Sequence, residues 1–140
     1  MRNVAALLPL LLFIQSCSLE RKPSDICKAE HFTKSRWEHF IEEIKQPIVV
    51  SIVKGKITNA QGGWPDDWPI LFEIRRTKKS AKTIQAYANV EGNFEISDVA
   101  EGQYCFKATV EGWRSTIGTI IVDRKADPKK TILIVMKIGV

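Results

Sequence analysis

The chain has 140 residues, 44% hydrophobic and 26% charged, with a formal charge of +5 at pH 7 and a pI of about 9.2. That length holds one domain, and that composition excludes an intrinsically disordered chain. The basic excess comes with no recognition motif or basic stripe, so no nucleic-acid partner is expected. Lysines on solvated loops and strand edges account for it.

The first residues, MRNVAALLPLLLFIQSC, read as an address rather than as part of a fold. Arg2 supplies a positive start, and Val4 to Ile14 form an apolar run broken only by Pro9. The run has the length of a signal-peptide core and is too short for a comfortable membrane span. It ends in Ile14-Gln15-Ser16-Cys17, which resembles a bacterial lipobox, with Gln15 in place of the usual small residue. The resemblance implies cleavage before Cys17, lipidation of its thiol, and a membrane partner through that anchor. Ser18, where an Asp is absent, implies by the same resemblance the outer membrane rather than the inner one. The alternative is an ordinary secretory signal and a soluble periplasmic or secreted module.

The segments that follow are a polar tether, 17–32, containing Pro23, and a short amphipathic helix, 33–46. Trp37, Phe40, Ile41 and Ile44 recur at helical spacing and form one stripe, Thr33 or Ser35 caps the start, and Pro47 stops it. From residue 47 to 140 the pattern changes to short strands separated by turn signals. These are Ile48 to Ile57, Pro69 to Arg76, Lys82 to Ala88, Phe94 to Ile96, Gln103 to Glu111, Ser115 to Val122 and Thr131 to Ile138. The expected inward residues include Ile84, Ala86 and Ala88, then Tyr104, Phe106, Ala108 and Val110, then Ile132, Ile134, Met136 and Ile138. The fold class is therefore mainly β, a seven-stranded antiparallel β-sandwich preceded by a short α-helix and a signal peptide.

With Cys17 lipidated, Cys27 and Cys105 remain, and an oxidising compartment favours their pairing. The alternation of Tyr104, Phe106 and Ala108 turns Cys105 to the outer face of its strand. There a segment lying over the sheet, such as the one carrying Cys27, can reach it. Two free thiols are the other possibility.

The stretch Val53-Lys54-Gly55-Lys56-Ile57-Thr58-Asn59-Ala60-Gln61-Gly62 resembles the opening strand and turn of carboxypeptidase regulatory-like domains, which have a transthyretin-like sandwich fold. Residues Asn89 to Tyr104 are similar to that family's glycine, phenylalanine, isoleucine, glycine and tyrosine signature, at Gly92, Phe94, Ile96, Gly102 and Tyr104. Glu111-Gly112-Trp113 resembles its following turn. The resemblance covers residues 48–138, and its departures are the inserted Gly62 to Pro69 turn and the helix before the domain. It implies a fold and says little about activity, because such folds host many roles.

No nucleophile elbow, zinc-protease motif or phosphate loop occurs, so neither an enzyme nor a cofactor is expected. Cys27, His31 and His39 lack a fourth metal ligand, and no metal is expected. The C-terminal residues lack the motif of the hydroxyisourate hydrolases, and the last strand lacks the asparagine that an adhesin-type isopeptide needs. The most unusual local group is Trp64, Asp66, Asp67 and Trp68, with Trp113 as a further loop aromatic. The tryptophans either stack on a sugar or partner side chain, with the carboxylates bonding hydroxyls, or fold back to cap the open end of the sandwich. Arg75, Arg76, Lys78, Lys79 and Lys82 form a basic run across a hairpin that either meets anionic lipid or simply resists edge aggregation. The functional expectation is a non-catalytic envelope lipoprotein whose domain binds a protein or glycan. The alternative is a structural accessory domain docking on a larger assembly.

Overall fold

A computed structural model describes residues 27–36, 38, 40–65, 68–78 and 81–138. Among the described residues eight strands form two sheets. The strands are β1 (Ile41–Val50), β2 (Val53–Asn59), β3 (Leu71–Arg76), β4 (Thr83–Tyr87), β5 (Asn93–Ile96), β6 (Gly102–Thr109), β7 (Ser115–Val122) and β8 (Ile132–Met136). One sheet has five strands in the order β1-β7-β6-β3-β4, and the other has three in the order β5-β2-β8.

The inner faces follow the period-two pattern of half-buried strands. Phe72 and Ile74, Tyr104, Phe106 and Ala108, and Ile120 and Val122 line the larger sheet. Ile57, Phe94 and Ile96, and Ile132, Ile134 and Met136 answer them from the smaller one. The ring of Phe72 stacks on Phe94 across the two sheets and on Phe106 beside it, with centroids 4.1 and 5.7 Å apart. Gly55 lets the backbones of β2 and β8 approach, since a Cβ there would sit 1.9 Å from the Ile132 carbonyl oxygen.

Three sequence expectations are corrected. Among the described residues no helix occupies 33–46, and Trp37 of the expected stripe lies outside them: the second half of the span is β1, a ten-residue strand paired in parallel with β7, Ile41 against Ser115 and Val50 against Val122. The apolar spacing of Phe40, Ile41 and Ile44 fits a helical period by coincidence, while Ile44, Ile48 and Val50 pack on the core as strand residues. Pro47 does not stop this element but sits inside it, at the register shift between Ile44 and Ile48. A residue without an N–H is tolerated at such an irregularity on an edge strand. The single strand expected from Ile48 to Ile57 is divided at Ser51 and Ile52, and its halves belong to different sheets. Among the described residues the sandwich has eight strands rather than seven, and it is mixed rather than antiparallel, because β1 with β7 and β2 with β8 run parallel.

The described residues before β1, from Cys27 onward, pack against the outer face of the larger sheet. Cys27 is disulfide-bonded to Cys105 of β6, with Cα atoms 5.3 Å apart, as the outward turn of Cys105 allows. Phe32 is buried beside this pair. Cys27 to Phe32, which the sequence reading assigns to a tether, are thus part of the folded body. The Thr33 N–H and hydroxyl donate to the Glu73 carboxylate at 3.2 and 2.7 Å, and the Gln85 amide donates to the same carboxylate at 2.8 Å. The fully buried Lys107 donates to the Thr33 carbonyl at 2.7 Å and forms an ion pair with Glu38. A buried charge that lacked such partners would be strongly destabilising.

Candidate binding cleft

Two loops at one end of the sandwich are clamped on the backbone of a single residue, Ile57, one through its carbonyl and the other through its N–H. In the β2–β3 loop, Asn59 accepts from the Gln61 N–H at 2.9 Å and donates to the Gly63 carbonyl at 2.6 Å, folding the chain back on itself. This aims Trp64 inward, where its indole N–H donates to the Ile57 carbonyl at 2.7 Å. The Trp64 ring meets Trp113 edge to face, with centroids 5.0 Å apart, and both rings pack against the core.

In the β4–β5 turn, Asn89 accepts from the N–H groups of Glu91 and Asn93 at 3.1 and 2.9 Å. The turn brings Gly92, at φ 86°, against β2, and the Ile57 N–H donates to the Gly92 carbonyl at 2.9 Å. A Cβ on Gly92 would lie 2.1 Å from the Ile57 carbonyl oxygen and 3.4 Å from the Trp64 indole nitrogen. Glycine is therefore required twice over, by its dihedral and by this contact.

Between the two loops lies a cleft of about 400 Å³. Trp64, Pro65, Trp68, Pro69 and Ile70 form one wall, and the chain from Tyr87 to Val90 forms the other. Trp68, Tyr87 and Val90 are 44%, 67% and 65% exposed, an unusual concentration of bare apolar surface on a small domain. The rigid prolines and large aromatic faces suit a flat or apolar ligand group at low entropic cost.

The five residues singled out in the sequence thus divide. Trp64 and Trp113 fold back and close the end of the sandwich, Trp68 faces outward, and Asp66 and Asp67 lie outside the described residues. The sequence reading missed Tyr87, Val90 and Asn89, the opposite wall. The signal for Tyr87 was present, since placing Ala86 and Ala88 inward leaves an aromatic residue on the outward phase. The basic run also separates. Arg75 is engaged, Arg76 lies over the Tyr104 ring at 5.3 Å, and Lys78 and Lys82 are exposed, while Lys79 lies outside the described residues. Cys27 is committed to its disulfide and His31 is exposed, and His39, like Cys17 and the leader, lies outside the described residues. Among the described residues no group of three or more His, Cys, Asp or Glu side chains is arranged to hold a metal.

At the far edge of the same body, Arg114 donates to Glu42 of β1 at 2.8 Å, and Lys137 donates to the other carboxylate oxygen at 3.4 Å. The Arg114 hydrogen bond, helped by Lys137, holds the Glu42 carboxyl below the ordinary carboxylate range.

These features define a class: a mainly β, two-sheet sandwich with an aromatic cleft at one end and a disulfide-pinned N-terminal strap across one face. The chain matches no protein-family model, and no curated protein matches it.

Proposed function

We propose that this protein is a non-catalytic lipoprotein of the cell envelope, whose sandwich binds a protein or glycan partner in the Trp68–Tyr87 cleft. In this reading the leader directs export, and a lipid on Cys17 holds the chain at the outer membrane or its periplasmic face. The observation that carries the binding role is the cleft itself: exposed apolar residues from two loops whose frames are fixed by hydrogen bonds to Ile57. Preorganised loops bind without a large ordering cost. The disulfide supports an oxidising location. The relation to carboxypeptidase regulatory-like domains is part of the same proposal. It is supported by the inward Phe94, Ile96 and Tyr104 and by positive φ angles at Gly92 and Gly102.

Two measurements test this reading. Intact mass spectrometry of protein extracted from membranes is expected to find a chain that starts at Cys17 with acyl mass added. A chain cut elsewhere and carrying no lipid removes the anchor from the proposal. Titration with soluble peptidoglycan fragments or with peptides, followed by tryptophan fluorescence, is expected to give a response that Trp68→Ala abolishes. A response unchanged in that variant places binding elsewhere.

A further inference from the structure

The open edge of β4 runs directly into the cleft, and its chemistry differs from that of the other edge of the same sheet. Antiparallel pairs alternate between those that exchange hydrogen bonds and those that do not. The Ala88 N–H donates to the Ile70 carbonyl at 2.9 Å, which fixes the parity of the β3–β4 ladder. Ala86 and Ile84 therefore bond to β3, and the N–H and C=O groups of Thr83, Gln85 and Tyr87 point away from it. Among the described strands β4 pairs with β3 alone.

Proteins commonly blunt such an edge with charge, proline or a bulge. The opposite edge strand, β1, has all three: Glu42, Glu43 and Lys45, then Pro47 at a register shift. The sequence of β4, Thr-Ile-Gln-Ala-Tyr, has none, and its register is unbroken. Apolar surface flanks this edge on both sides. Ile84, opposite the inward Ile74, is 43% exposed, and Tyr87 stands out on the other face. Exposed Lys78 and Lys82 lie at the start of the strand, and the apolar cleft lies at its end. At about 3.3 Å per residue the strand is about 17 Å long, a span that five or six extended residues match.

We infer that the ligand is an extended peptide segment of a partner protein, which adds to the sheet along β4. An acidic residue of that segment meets Lys78 and Lys82, and an apolar residue enters the Trp68–Tyr87 cleft. The inference deepens the binding role proposed above and rests on it: main-chain hydrogen bonds supply the affinity, and the two ends of the edge supply register and specificity.

The test uses a fluorescein-labelled peptide of alternating valine and threonine, with two glutamates at one end and a leucine at the other. A second peptide is identical but methylated on alternate backbone nitrogens, and the trisaccharide of N-acetylglucosamine serves as a glycan probe. The first peptide is expected to bind the purified protein, with loss of at least tenfold in affinity on methylation. Amide exchange at Thr83, Gln85 and Tyr87 should slow at least tenfold on binding. Thr83→Pro removes an outward N–H without touching the β3 ladder, and is expected to weaken binding by a similar factor. Tyr87→Ala should do likewise by removing the cleft contact. Equal binding of the methylated peptide overturns the inference with no variant involved, as does absence of peptide binding at millimolar concentration. If the trisaccharide binds in a Trp68-dependent way and the peptide does not, the edge is refuted while the cleft stands as the binding site. A Trp68→Ala variant that changes neither ligand's binding refutes both.

Discussion

Removing the Cys27–Cys105 bond by the double substitution Cys27→Ala and Cys105→Ala tests how the strap contributes to stability. The two cysteines are 78 residues apart, so the bond closes a loop that contains β1 to β5 and the start of β6. For a loop of that length the chain-entropy relation gives about 4.5 kcal/mol of stabilisation, through restriction of the unfolded chain. Unfolding entropy near the midpoint is about 2.1 cal/mol/K per residue, or roughly 0.23 kcal/mol/K for a folded body of this size. The ratio is a fall in Tm of about 20 °C. If the bond contributes only about 2 kcal/mol, at the low end of the usual range, the fall is still about 9 °C. Thermal unfolding followed by far-ultraviolet circular dichroism, comparing the oxidised protein with the variant, reads this directly. A fall below about 5 °C would refute the reasoning, because the cross-link would then not be limiting the unfolded ensemble.

The buried ion pair under the strap should respond asymmetrically. Glu38→Ala leaves the Lys107 ammonium buried without its counter-charge and is expected to cost about 3 kcal/mol in urea unfolding. Lys107→Met should cost less, because the Glu38 side chain lies nearer the surface, and the double variant should recover most of the loss. A third expectation concerns pH. The folded-state pKa of Glu42 is depressed, so its contribution is present above the ordinary value of 4.5 and is lost as pH falls through the folded-state value. The Tm deficit of Glu42→Gln should therefore be largest near neutrality and close below about pH 4.5. A deficit that stays constant across that window would rule out the Arg114 and Lys137 contacts as its cause.

The middle and end of the chain were more legible than its start. Strand β7 falls where the β-branched run places it, and the alternation around Tyr104 correctly sends Cys105 outward and Phe106 inward. The same logic holds for Ile132, Ile134 and Met136, though Ile138 is half-exposed beyond the strand. Strand β1 was misread because its partner is β7, a parallel neighbour far along the chain. Such pairing leaves no hairpin signal in the local sequence. Glu73 and Lys107 were hidden for a related reason: both lie on the outward phase of their strands, and only the returning strap buries them. In the cleft, the tryptophan-rich loop was visible as a composition. Which rings turn in is decided by the Ile57 carbonyl, and neither that contact nor the Tyr87 wall opposite can be read from loop composition.

The two parallel pairings also govern when this chain can fold. Strand β1 needs β7, and β2 needs β8, so the larger sheet is incomplete until β7 has been made and the smaller one until β8 has. Without β8 the smaller sheet is a two-stranded ribbon, which cannot cover the inner face opposite it. Contacts this distant along the chain also form slowly. During synthesis the two-layer core therefore cannot close before β8 is available to cover it.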